Sequence, residues 1–281
     1  MNNEIVIIKA NGIREVFDSN KLLYSLKRSG ATEEVAQKIA AHITKEVKDG
    51  MSTNEIYKHA FYLLHKEQEP VALRYSLRRS LMDLGPSGFP FEKFIAEIFR
   101  KKGYTVETGK IVRGKCVEHE VDVLAYNENK VIMVEAKYHN QLGIKSDIKV
   151  ALYVKARFDD LMATTFDIGG QKRKMDEGWL ITNTKFSSSA IQYAECQRLK
   201  IIGWNYPGDN SLVRMVEDSN LHPLTCLSSL KTSEKQALMN KGVVLCNTVK
   251  DKPELLQELG LKDDDIKTVV EEATMLCPIV E

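Results

Sequence analysis

Residues 118–137 read EHEVDVLAYNENKVIMVEAK and place acids and a lysine on two apolar, β-rich segments. Val121, Val123, Leu124 and Tyr126 form the first segment. Val131, Ile132, Met133 and Val134 form the second, and Asn127, Glu128, Asn129 and Lys130 between them have turn chemistry. A hairpin with a two-residue loop at Glu128 and Asn129 sets Asp122 opposite Glu135. The period-two alternation of a strand puts Glu135 and Lys137 on one face. Unpaired charge on such strands is costly to bury, and two readings satisfy it. The acids and the lysine can pair with one another on a solvated face, or the two carboxylates can hold a hard divalent cation, for which Mg2+ (or Mn2+) suits the oxygen ligands. Such a cation polarises a phosphate oxygen and lowers the pKa of a bound water. An ammonium beside it stabilises developing negative charge or helps to orient the attacking water, which together is phosphodiester hydrolysis chemistry.

The surrounding order adds to this. An amphipathic helix containing FEKFIAEIF and a short strand YTVET precede the D-x12-E-x-K spacing, and GWLITNTKFSSSAIQYAE follows it. This order resembles the PD-(D/E)XK nuclease superfamily, and the last segment resembles the strand and helix after the active site in Mrr-type restriction endonucleases, over residues 89–204. The resemblance implies an α/β core with a mixed sheet flanked by helices and DNA as substrate. It implies metal ligands at Asp122 and Glu135, a catalytic lysine at Lys137 and a supporting first-helix glutamate at Glu92. The sequence departs from many Mrr-type members in its VEHEVD approach to the aspartate and in carrying Glu135 where they have glutamine.

The amino-terminal part begins with strands at 5–8 and 14–17 joined through Asn11-Gly12, a strong hairpin signal. Asp18 or Ser19 caps a helix over 20–29, Thr32 caps a second through 47, and Ser52 with Glu55 makes a capping box for a third. A fourth is predicted over 71–83. Ile56, Ala60, Leu63 and Leu64, then Leu73, Leu77 and Leu81, give the last two a buried stripe each. LGPSGFP reads as an interdomain linker. The order IVIIKANGIREVFDSNKLLYSLKRSG, with VALRYSLRRSL at its end, resembles an ATP-cone over residues 1–84. That resemblance implies ATP or dATP held near Lys9, Lys21 and Arg28 with the first hairpin as a lid; the usual KRDG reads Lys9-Ala10-Asn11-Gly12 here. A cone kept only for docking or oligomerisation is the alternative.

In the helix from residue 89, Phe91, Phe94, Ile95 and Ile98 share an apolar face, Gly103 stands at C′, and Glu97 is placed to pair with Arg100 or Lys101. His119 is either a ligand or base, or a strand-surface histidine. After Lys137, a helix through about 162 is expected to carry Lys145, Lys149, Lys155 and Arg157. Cations there can contact phosphate backbone, as can the clusters Arg78-Arg79, Arg100-Lys101-Lys102, Arg113 with Lys115, and Lys172-Arg173-Lys174. The stretch 164–178, with Gly169-Gly170, shows no regular pattern. A core strand at 179–182, a helix at 187–198 and a closing strand at 201–204 complete the core. In the tail, LLQELGLKDDDIKTVVEEA resembles a helix-hairpin-helix-like element, but Asp263, Asp264 and Asp265 would repel phosphate, which favours a structural or partner-binding role.

The chain thus divides into an ATP-cone-like domain at 1–84, a nuclease domain at 85–206 and a helical region at 207–281. Its net charge of +1 excludes a basic nucleic-acid coat protein, so DNA contact must rest on local patches. Five dispersed cysteines with no CxxC pair argue against structural zinc and a disulfide framework, and for a reducing cytoplasm. No apolar run reaches the length of a membrane span. The expected function is a Mg2+-dependent DNA endonuclease, a homo-oligomer regulated by nucleotide, with a role in restriction or defence. The alternative is a nucleotide-responsive DNA-binding regulator whose nuclease fold is idle.

Overall fold

The structure, a computed structural model, describes residues 5–9, 12–141 and 143–277. Asn11 of the expected first turn lies outside them. Strands β1 (Val6–Ile8) and β2 (Arg14–Val16) pair antiparallel. Helices α1 (Ser19–Arg28), α2 (Glu33–Glu46) and α3 (Thr53–Glu67) follow, each started by the side chain the sequence offers: Asp18, Thr32, and Ser52 in a reciprocal box with Glu55. Where one helix was expected over 71–83 there are two, α4 (Glu69–Tyr75) and α5 (Leu77–Met82). Ser76 separates them; its hydroxyl donates to the Leu73 carbonyl at 2.6 Å and competes with the helical ladder.

The central sheet combines β3 (Thr105–Arg113), β4 (Glu118–Tyr126), β5 (Val131–Lys137), β9 (Glu177–Thr182) and β11 (Lys200–Ile202) in the order β11-β9-β5-β4-β3. The first three of these strands are antiparallel neighbours, while β5, β9 and β11 run parallel, so the sheet is mixed as expected. Between β5 and β9 lie β6 (Lys145–Ser146), α7 (Ile148–Met162) and a small hairpin of β7 (Phe166–Ile168) and β8 (Gln171–Arg173). That hairpin fills the stretch that showed no pattern; Gly169 and Gly170 both have positive φ, which a two-residue turn of this kind requires. After β9, β10 (Lys185–Phe186) pairs parallel with β6, and α8 (Ser188–Cys196) leads to β11.

Each face of the sheet is covered. On one side Val123, Ala125, Ile132 and Val134 pack against α6 (Phe89–Lys101), whose Phe91, Phe94, Ile95 and Ile98 have no exposure. On the other, Leu124, Met133 and Leu180 pack against α7 and α8 through Val154, Phe158 and Ala190. The carboxy-terminal helices α9 (Leu212–Ser219), α10 (Thr232–Asn240), α11 (Cys246–Asp251), α12 (Glu254–Gln257) and α13 (Asp263–Leu276) extend the α6 side. Leu73, Leu77, Leu81 and Leu84 belong to this core as well, not to the separate core of β1 and α1–α3. The LGPSGFP segment is packed: a Cβ on Gly85 would come within 2.5 Å of the Tyr138 hydroxyl, which itself donates to the Met82 carbonyl. Among the described residues no helix is long and apolar enough to cross a membrane.

Candidate active site

The two-residue loop sets the hairpin register. Asn127 closes it with its backbone on Lys130 and its side chain on the amides of Asn129 and Lys130. The pairs Tyr126↔Val131 through Val123↔Val134 follow, and Asp122 and Glu135 come next in that register. There the ladder stops. Instead of a backbone pair, the Asp122 carboxylate (Oδ2) accepts the Ala136 N–H at 2.8 Å. The opposite neighbour, β3, is also interrupted: Thr108↔Val123 and Lys110↔Val121 are paired, while Gly109 between them has φ +61°. A glycine allows the backbone to bend beside the acid.

Around this gap the charges gather. Glu135 and Lys137 alternate onto the α7 side of β5, with Glu135 mostly buried and Lys137 exposed at the end of the strand. Glu92 enters from the first turn of α6. Burial pushes Glu135 up to about 7, reinforced by the negative charge of Asp122 and opposed by Arg157 and Lys137. Burial likewise carries Glu92 to about 7, with Asp122, Glu120 and Glu135 adding repulsion. Asp122 is raised too, chiefly by burial, against its bond from Ala136 and the pull of Arg157 and Lys137. Three carboxyls thus resist ionising together, and a positive charge among them relieves the conflict.

One is already there. Arg157 on α7 forms an ion pair with Glu135 and donates to the Glu120 carbonyl, its guanidinium resting over the Tyr153 ring. The sequence counted Arg157 among the phosphate-facing cations of this helix; the fold turns it inward. An oxygen-only donor set with a cation already drawn to it fits a hard divalent metal ion.

Other expected candidates fall elsewhere. His119 bonds Asp160 at 2.7 Å, and that aspartate also accepts the amides of Cys116 and Val117, so the histidine braces the β3–β4 turn. Lys155 pairs with Asp159, and Glu97 pairs with Arg100. Lys9 and Lys21 converge on Glu15, whose carboxyl they hold at about 2, Lys21 contributing most. Arg28 does not join them. It sits seven residues along α1 from Lys21, roughly 10 Å of helix, and its Nη1 lies 3.4 Å from Asn205 Oδ1 across the junction with the core. There it lines a cavity of about 250 Å³ with Arg74, Arg78, Trp204 and Glu217.

Three family models match parts of the chain. A family model described as restriction endonuclease, the Mrr catalytic domain, matches residues 85–206; an ATP cone domain model matches 5–84. A third, described as AF1548-like, C-terminal, matches 222–277. An uncharacterized protein of Archaeoglobus fulgidus is 33% identical over 180 residues, which cover 64% of this chain and 97% of that protein. The chain belongs to the AF1548-like family.

The crystal structure of AF1548, a protein of unknown function, aligns with this AF1548-like chain at 31% identity and a TM-score of 0.56, over 68% of this chain and 98% of that one. MspJI restriction endonuclease, solved with a 27-mer oligonucleotide, aligns at 16% identity and a TM-score of 0.31 over 47% of this chain and 29% of its own, too weakly to bear on the site. The AF1548-like chain therefore joins an ATP-cone to an Mrr-type restriction-endonuclease domain, as the motifs implied.

Two residues beside the candidate site gave no clear signal in the sequence of this AF1548-like protein. Gly109 is one glycine in a polar strand. His139, two residues beyond Lys137, is fixed by its Nε2 on Ser146 Oγ at 3.0 Å and by backbone bonds to Asn183 on both sides. Burial, then the nearby Lys137, lowers its pKa.

Proposed function

We propose that the chain is a divalent-metal-dependent DNA endonuclease whose activity responds to nucleotide bound by its ATP-cone, with a role in restriction or defence. The observation that carries this reading is the gathering of Asp122, Glu135 and Glu92, each raised in pKa chiefly by burial, beside Lys137 at the end of the central strands.

Asp122 and Glu135 would hold the metal ion, Mg2+ or Mn2+, which when bound supplies an activated water and charge neutralisation at the phosphate. Asp122 is oriented for this by the Ala136 amide, which fixes one carboxylate oxygen and leaves the other to bind. Lys137, exposed and on the same face as Glu135, donates to the scissile phosphate or to the attacking water as negative charge develops. Glu92, raised to about 7, is divided between acid and carboxylate near neutral pH and can give up or take a proton at the edge of the site. Arg157 keeps Glu135 in place and then yields its share of the carboxylate. ATP or dATP would bind near Lys9 and Lys21. The Arg28–Asn205 contact gives the cone a physical connection to the nuclease domain.

The test is cleavage of supercoiled plasmid with Mg2+ and with EDTA. Nicking by the wild type that disappears with EDTA and in Lys137→Ala supports the reading; the same absence of nicking in both proteins, across several DNA types, removes it. Arg157 in contact with Glu135 favours one second reading, a DNA-binding regulator in which a guanidinium permanently replaces the metal. Salt-dependent DNA binding without cleavage, unchanged by Asp122→Asn, would be its signature.

A further inference from the structure

On the cone, away from the central sheet, His42 and Glu46 lie one turn apart on the same face of α2, and His59 faces them from α3. His42 Nε2 is 3.2 Å from Glu46 Oε1, and His59 Nδ1 is 3.4 Å from Glu46 Oε2. One ligand atom from each side chain lies within 4.8 Å of the other two, and the imidazole rings meet edge to face with centroids 5.3 Å apart.

Around tetrahedral Zn2+, bonds of about 2.0–2.2 Å set neighbouring ligand atoms roughly 3.3–3.5 Å apart. The Glu46 carboxylate already sets one oxygen close to that distance from each imidazole, Oε1 from His42 and Oε2 from His59. Rotation of these partly exposed side chains brings a single Glu46 oxygen and the two ring nitrogens around one ion, with a fourth position left for water. Behind them the helices are fixed by Ile39, Ile43, Ile56 and Ala60, all buried, so the ligands project from rigid elements rather than from loops.

We propose that His42, Glu46 and His59 form a binding site for a borderline divalent transition-metal ion, Zn2+ in the first place, which ties α2 to α3. Two imidazoles and one carboxylate select zinc, nickel or cobalt over the calcium and magnesium that all-oxygen sites prefer. The site is chemically distinct from the Asp122–Glu135 pair and does not depend on the nuclease reading.

The test is Zn2+ titration of the full chain by calorimetry, together with the absorption spectrum of the Co2+ form. The expected result is a site retained in Asp122→Asn and weakened at least about 10-fold in His42→Ala and in His59→Ala. Excess Ca2+ should leave it occupied, and cobalt should give a tetrahedral spectrum with no thiolate charge-transfer band. Zn2+ should also raise the melting temperature of the wild type and not that of the histidine variants, because it binds the folded state. His59→Gln, which keeps a polar side chain at this partly exposed position, guards against a folding defect. Wild-type Zn2+ affinity in the double variant His42→Ala, His59→Ala, a thiolate band, or loss of the site in Asp122→Asn would each overturn the proposal.

Discussion

Asp122 Oδ2 accepts the backbone N–H of Ala136 at 2.8 Å, where the β4–β5 ladder has just ended at Val123↔Val134. A side chain thus takes a place that a backbone carbonyl fills elsewhere in the sheet, and it holds an acid at the opening between two strands. Asp122→Asn keeps an oxygen for this bond but loses the charge. The fold should therefore persist with little change in melting temperature, while Mg2+-dependent plasmid nicking falls roughly 100-fold or more, as befits loss of a direct ligand. Circular dichroism and a nicking time course on the same preparation check both.

Arg157 is the positive charge that the metal-free site relies on. Its side chain is 11% exposed and that of Glu135 16%, so Arg157→Gln should destabilise the metal-free chain by about 2 kcal/mol, below the 3–5 of a fully buried pair. Mg2+ should restore more stability to the variant than to the wild type. Urea unfolding with and without Mg2+ measures the difference.

The site also sets a pH dependence. Glu92 and Glu135 titrate near about 7 in the folded chain against an ordinary value of 4.5. Between those values the folded state holds more protons than the unfolded one, so the stability these groups contribute is present below pH 4.5 and is lost as pH rises through 7. Mg2+ must displace the same protons, so its affinity and the cleavage rate should rise over the window in which metal-free stability falls. Melting temperatures at pH 5 and pH 8 should differ less with Mg2+ than without, and Glu135→Gln should reduce the metal-free difference.

For the cone, Lys21→Ala should weaken ATP or dATP binding about 10-fold, on the order of one charge-assisted contact. Arg28→Ala should leave that affinity near the wild-type value, because the residue faces Asn205 at the other end of α1. Calorimetric titration of the two variants separates a site at the first hairpin from one at the junction.

How far the sequence carried these points depended on the range of the interaction. The hairpin register was legible because a two-residue loop and a strict alternation leave one pairing that buries Val123, Leu124, Met133 and Val134. The caps at Asp18, Thr32 and Ser52 were legible for the same local reason. Arg157 was not, since a cation on a helix pattern can face solvent, DNA or an acid, and the choice is made by a strand 22 residues away. Periodicity marked Leu73, Leu77 and Leu81 as buried but could not name what covers them, and the cover is α6 and the carboxy-terminal helices rather than the cone. Gly169-Gly170 was a readable turn signal, obscured by flanking strands of only three residues each, the second of them polar throughout.

The most direct measurement of the central claim is a crystal soaked in Mn2+ and examined by its anomalous scattering. The account expects a peak bridging the carboxylates of Asp122 and Glu135, with the Lys137 ammonium beside it and Arg157 displaced from Glu135. An undisturbed Arg157–Glu135 pair at saturating Mn2+, with no peak between the two acids, would contradict it.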